Sequence, residues 1–122
     1  MGARINFVFK DVEDEASVVL YSHWGETEWQ RDLAMALEHS KPRWKDYAYF
    51  NRMMISYFMQ DSILDETGFG IYAITGTNFE LGDTTVVIDV AKETIYEAGK
   101  ELQVDWQLFI NAYIPKVLAE QI

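Results

Sequence analysis

Apolar residues in this chain recur at two spacings, and the two are grouped along the sequence rather than interleaved. Over residues 4–10, Ile5, Phe7 and Phe9 alternate with Arg4, Asn6, Val8 and Lys10, the period of a strand with one face buried. The acidic run Asp11-Val12-Glu13-Asp14-Glu15 cannot continue it and reads as a hairpin loop, leading to a second, antiparallel strand over residues 18–22. Gly25 breaks that strand, and from Glu28 the period lengthens. Trp29, Leu33, Ala36 and Leu37 predict an amphipathic helix over residues 28–39. Thr27 and Gln30 stand at the spacing of a capping box, and Ser40-Lys41-Pro42 is the stop. A second helix is expected over residues 44–63, with Trp44, Tyr47, Ala48, Asn51, Met54, Ile55, Phe58 and Met59 at three- and four-residue spacing. Phe50, Met53 and Tyr57 widen its apolar arc, which leaves two placements open: the middle of the core, or an interface between copies.

The two-residue period then returns. A glycine-punctuated turn, Asp65-Glu66-Thr67-Gly68-Phe69-Gly70, leads into a short buried strand over residues 71–74. A loop over residues 76–83 with two apolar residues, Phe79 and Leu81, precedes the most β-branched segment, residues 84–90. Ala91-Lys92-Glu93 turns it into residues 94–98, a second hairpin. The final helix opens sharply: Asp105 is placed to cap it, with Val104 and Phe109 as a hydrophobic staple, and Pro115 ends or kinks it. The order ββααβββα contains no βαβ alternation. It predicts one α+β domain over residues 1–122, a mostly antiparallel sheet with helices packed on one face.

Aromatic residues make up 15% of the chain, enough to fill a core without staples, and there is no cysteine to supply a disulfide or a thiolate metal site. The formal charge is −10, unevenly placed: residues 1–60 carry nine acids against seven bases, residues 61–122 eleven against three. Such a surface disfavours direct nucleic-acid binding, which rests on phosphate neutralisation. Lys41-Pro42-Arg43-Trp44-Lys45 is the sole basic cluster. No apolar run approaches a membrane span, and the first residues lack an apolar signal core.

Tyr21-Ser22-His23-Trp24-Gly25-Glu26 gathers a hydroxyl, an imidazole and a carboxylate at a strand-to-helix junction. Neighbouring strand residues point to opposite faces, so Ser22 and His23 are not expected to form a nucleophile–base pair, and no catalytic residue is assigned. His23 and His39 stand on different elements and no calcium-loop signature exists, so no metal and no cofactor is expected; Asp61 with Asp65 reads as a solvated helix end. Gly68-Phe69-Gly70 lacks the residues of a phosphate loop and serves a turn. Were a pocket to exist between the His23-Trp24 corner and the aromatic helix, Arg43 and Arg52 would be its anion contacts.

Met1-Gly2-Ala3-Arg4-Ile5-Asn6, Leu20-Tyr21-Ser22-His23-Trp24-Gly25 and Glu66-Thr67-Gly68-Phe69-Gly70-Ile71-Tyr72 together resemble a loose group of small bacteriophage and prophage proteins with a Gly-x-Arg opening strand and a His-Trp corner. The resemblance brings no catalytic residues. It implies an accessory protein acting in the bacterial host cytoplasm by occupying a host protein, such as a defence or nucleic-acid-binding system. The acidic second half, with Asp83, Asp89, Glu93 and Glu97, would then face a basic partner. The alternatives are a small-ligand or nucleotide binder using His23, Trp24, Arg43 and Arg52, and a structural assembly component; a homo-oligomer fits the host-binding reading, and a higher-order symmetric assembly the structural one.

Overall fold

The structure, a computed structural model, describes residues 4–10, 16–23, 28–76 and 78–114. Six strands form one sheet: β1 (Ile5–Lys10), β2 (Ala16–Ser22), β3 (Phe69–Thr75), β4 (Thr84–Asp89), β5 (Thr94–Glu97) and β6 (Val104–Asp105). Among the described residues there are three α-helices, α1 (Trp29–His39), α2 (Tyr47–Met59) and α3 (Trp106–Tyr113). The strand order is β3-β2-β1-β4-β5-β6. All neighbours are antiparallel except β1 and β4, which run parallel from Ile5↔Thr84 to Lys10↔Asp89. The expected α+β class and the helices on one side of the sheet are therefore found, with β6 as an added two-residue strand.

The alternation in β1 decides which side the helices take. Ile5, Phe7 and Phe9 face them and are 0–1% exposed. Phe7 meets Phe58 of α2 with ring centroids 4.7 Å apart, and Phe9 meets Phe50 edge-on at 6.3 Å. Trp106 at the start of α3 lies under Phe50 in a near-parallel stack at 4.8 Å, and Trp44 meets it edge-on at 5.0 Å. Its indole N–H donates to the Thr94 carbonyl at 3.0 Å, so a fully buried Trp keeps a partner for its one polar atom. Asp105 caps α3 as its position predicts, accepting from the Gln107 and Leu108 amides. Pro115, the Asp11–Glu15 loop, and the Thr27 half of the proposed capping box lie outside the described residues.

Three expectations need correcting. The second helix does not run over residues 44–63. A 3-10 turn occupies Lys41–Arg43, Asp46 caps α2 by accepting from the Tyr49 amide at 3.3 Å, and the helix stops at Met59. Its wide apolar arc is explained by the core, since Phe50, Met54 and Asn51 are buried while Tyr47 and Phe58 pack against the cluster. The strand over residues 71–74 is neither short nor buried. It spans Phe69–Thr75 at the sheet edge, and Ile71, Tyr72 and Ala73 are exposed because, among the described residues, it has a strand neighbour on one side alone.

The third correction concerns the outer face of β1, which is not exposed. Asn6 and Val8 are buried, and Val8, Val19, Val87 and Phe79 form a second apolar cluster on the side away from the helices. The topology requires this. From β3 at one edge the chain must pass β2 and β1 to reach β4, and the loop that makes the passage carries Phe79 onto the outer face. Gly76, at φ +85, lets the backbone leave β3 in a conformation that a side chain would resist.

Candidate functional site

A polar concavity opens between α1 and the end of α2, over the ends of β2 and β3. Its volume is about 350 Å³, near the lower end of the range for small-ligand sites. α1 supplies Trp29 and Asp32, three residues apart and therefore on one helical face. The end of α2 and the turn after it supply Tyr57, Phe58, Gln60 and Asp61. The sheet contributes Phe7, Ser22 and Phe69 as the floor. His39 packs on Tyr57 from α1, ring centroids 5.3 Å apart, and steadies that wall.

The cleft is acidic on aromatic walls. Asp32 is exposed at the rim, yet partial burial of its carboxyl raises its pKa above the ordinary carboxylate value. The negative charge of Glu28 adds to the rise, and Arg31 opposes it. Among the described residues lining the cleft, Asp32 and Asp61 are the charged ones and no Lys or Arg joins them. A group entering the cleft would therefore meet carboxylates and ring faces, the two surfaces that attract a cation.

The residues singled out from the sequence are divided by the fold. Ser22 faces the cleft and is buried, while the His23 imidazole is turned to the Tyr21 hydroxyl, which lies 2.9 Å from Nδ1. The expected separation of Ser22 from His23 is thus found. The His23 amide donates to the Gly68 carbonyl at 2.9 Å, tying this corner to the turn before β3. Trp24 lies outside the described residues. Arg43 and Arg52 are exposed and line none of the three concavities described; the Arg43 guanidinium sits 5.0 Å from the Tyr49 ring centroid. Among the described residues no group of three His, Cys, Asp or Glu side chains could hold a metal ion.

The four acids of the second half have three different fates. Asp89 is not on the surface: it is 3% exposed, its Oδ1 accepts from the Lys92 amide at 3.0 Å, and Lys10 Nζ lies 3.9 Å from Oδ2. As the last residue of β4 it holds the β4–β5 turn closed, a role that a short carboxylate fills well. Glu93 lies in that turn at φ +56, with its carboxylate 2.7 Å from Lys45 Nζ. Asp83 and Glu97 do come together, with Glu80, around a shallow depression of about 380 Å³, where Glu97 is paired with Lys100 at 2.8 Å. Sequence reasoning missed Asp32 and Asp61 as a pair; the available signal was Asp32 standing one turn from Trp29 on the helix face next to the apolar stripe.

Among the described residues no helix is long and apolar enough to cross a membrane. Compared with protein-family models, with curated proteins and with solved structures, the chain matches none.

Proposed function

We propose that this chain is a non-enzymatic binding protein for a basic protein partner, and that the α1–α2 cleft receives a lysine or arginine side chain of that partner. The observation that carries the reading is the cleft itself, where Asp32 and Asp61 stand over Trp29, Tyr57 and Phe69 without a basic residue in the described lining. Partial desolvation and the Glu28 charge disfavour the ionised Asp32 carboxyl, with Arg31 opposing them, and a guanidinium or ammonium group in the cleft would favour the ionised form. The ring faces add a cation–π attraction of about 0.5–2 kcal/mol. The shallow depression at Glu80, Asp83 and Glu97 extends the acidic surface on another part of the molecule and would steer a basic partner during approach. The three phage-like motifs would place that partner in a bacterial host.

The test is calorimetric titration with an arginine-rich peptide at low and moderate salt, comparing the native chain with Asp32→Asn/Asp61→Asn and Asp83→Asn/Glu97→Gln. The reading expects binding that weakens with salt. It expects the cleft pair to lose affinity by about tenfold or more, about 1.4 kcal/mol, and the second pair to slow association with a smaller loss. Affinity that ignores salt, or a cleft variant that binds as well as the native chain, refutes it.

A further inference from the structure

The two edges of the sheet are built differently. β6 is two residues long and ends in Asp105, so it offers little for another strand to pair with. β3 is seven residues long, pairs with β2 in unbroken register from Ala16↔Thr75 to Ser22↔Phe69, and has no strand on its other side among the described residues. Its sequence, Phe69-Gly70-Ile71-Tyr72-Ala73-Ile74-Thr75, holds none of the devices that blunt an exposed edge: no lysine, no proline, no bulge, no inward charge. The nearest charges in sequence are Glu66 and Glu80, in a chain where a quarter of the residues are charged. Tyr72, the central residue, lays its ring back across the outer face and donates its hydroxyl to Asn6 Oδ1 at 3.1 Å, away from the open edge.

We infer that β3 is a dimerisation edge, where two copies of this chain pair antiparallel about a two-fold axis at Tyr72 and join their sheets. The hydrogen-bond phase supports this. The His23 amide bonds to the Gly68 carbonyl, so Gly68 is in a hydrogen-bonded pair with β2, and the alternation of an antiparallel ladder puts Gly70, Tyr72 and Ile74 in the same class. The amides and carbonyls of Phe69, Ile71, Ala73 and Thr75 therefore point outward. With the axis at Tyr72, these four residues face one another: Phe69 opposite Thr75 and Ile71 opposite Ala73. All the outward groups pair at once, giving about eight main-chain hydrogen bonds, close to the ~10 of a typical specific interface. The side chains match in size as well, since Ile71, 57% exposed in the monomer, lies across from the small Ala73 of the second copy.

A second copy fits this edge better than a foreign strand because the pattern is complementary to itself. Repulsion between two chains of formal charge −10 acts at long range and is screened over about 10 Å at 0.1 M salt, so salt strengthens the dimer. That is opposite to its effect on binding in the cleft, and the two readings can fail separately.

The experiment is sedimentation velocity on the full chain over a micromolar concentration series at low and high salt. Ile71→Lys sets a charge at the middle of the edge, and Ala73→Pro removes one outward amide without touching a bond to β2. The native chain is expected to pass from monomer to dimer with concentration, more readily at high salt, and both variants to stay monomeric with unchanged circular dichroism. Tyr72→Cys, in a chain without other cysteines, is expected to oxidise to a covalent dimer, which reports the register without requiring an edge-breaking variant to fold. A native chain that stays monomeric at both salts overturns the inference. So does a dimer that survives both edge variants, or one that Tyr72→Cys cannot cross-link.

Discussion

Removing the Phe79 ring should cost this protein far more than a loop substitution normally does. Phe79 sits between β3 and β4 outside any regular element, yet it is 6% exposed and covers Val8, Val19 and Val87, each of them fully buried. Burying a phenylalanine contributes about 1.5–3 kcal/mol by transfer alone, and truncation in a well-packed core costs about 3–5 kcal/mol once the cavity is included. A loop can collapse further than a strand, which places Phe79→Ala near the lower end, at about 3 kcal/mol. For a chain of this size that corresponds to a fall in Tm of roughly 10–15 °C. Urea unfolding followed by tryptophan fluorescence measures it directly, with Phe79→Leu as the control that keeps most of the apolar area and loses under about 1.5 kcal/mol. A Phe79→Ala loss below about 1 kcal/mol would refute the reasoning. It would mean that the outer face of the sheet holds without its cover.

The same reasoning separates the acids. Asp89→Ala is expected to destabilise by about 1–3 kcal/mol, because the buried carboxylate that accepts from the Lys92 amide is lost, whereas Asp83→Ala stays within about 0.5 kcal/mol; chemical denaturation distinguishes them. Asp105→Ala removes the α3 cap and costs about 1 kcal/mol, read in the same assay. Asp32 has a pKa raised by folding, so the folded chain keeps that proton in a pH window where the unfolded chain has lost it. Its contribution is complete below the unfolded pKa and is lost as pH rises through the higher folded value. Asp32→Asn should flatten that part of the Tm–pH curve between acid and neutral pH, and an unchanged slope contradicts the assignment.

Much of the architecture was legible because local period and core agree. Ile5, Phe7 and Phe9 identified the inner face, Trp29 and Leu33 the helix that packs near it, and Asp105 the start of α3. What escaped was set by topology. Nothing local in residues 4–10 tells that Val8 is covered, because its cover arrives from Phe79, some seventy residues away in sequence. Nothing local in Phe69–Thr75 tells that this apolar run is an edge, since a buried and an unpaired strand share a composition. The acids show the limit for the site. Asp83, Asp89, Glu93 and Glu97 look alike in sequence, yet one is buried, one is clamped by Lys45 and two meet at a depression. Asp32 and Asp61 line one cleft because the fold brings α1 beside the turn after α2, which the helical period does not specify.

Whether the α1–α2 cleft takes a cationic side chain is decided by amide chemical-shift mapping with an arginine-rich peptide. Saturable shifts are expected at Trp29, Asp32, Tyr57, Asp61 and Phe69, lost together in Asp32→Asn/Asp61→Asn. Shifts confined to residues 80–83 and 97–99, or none that saturate, would contradict it.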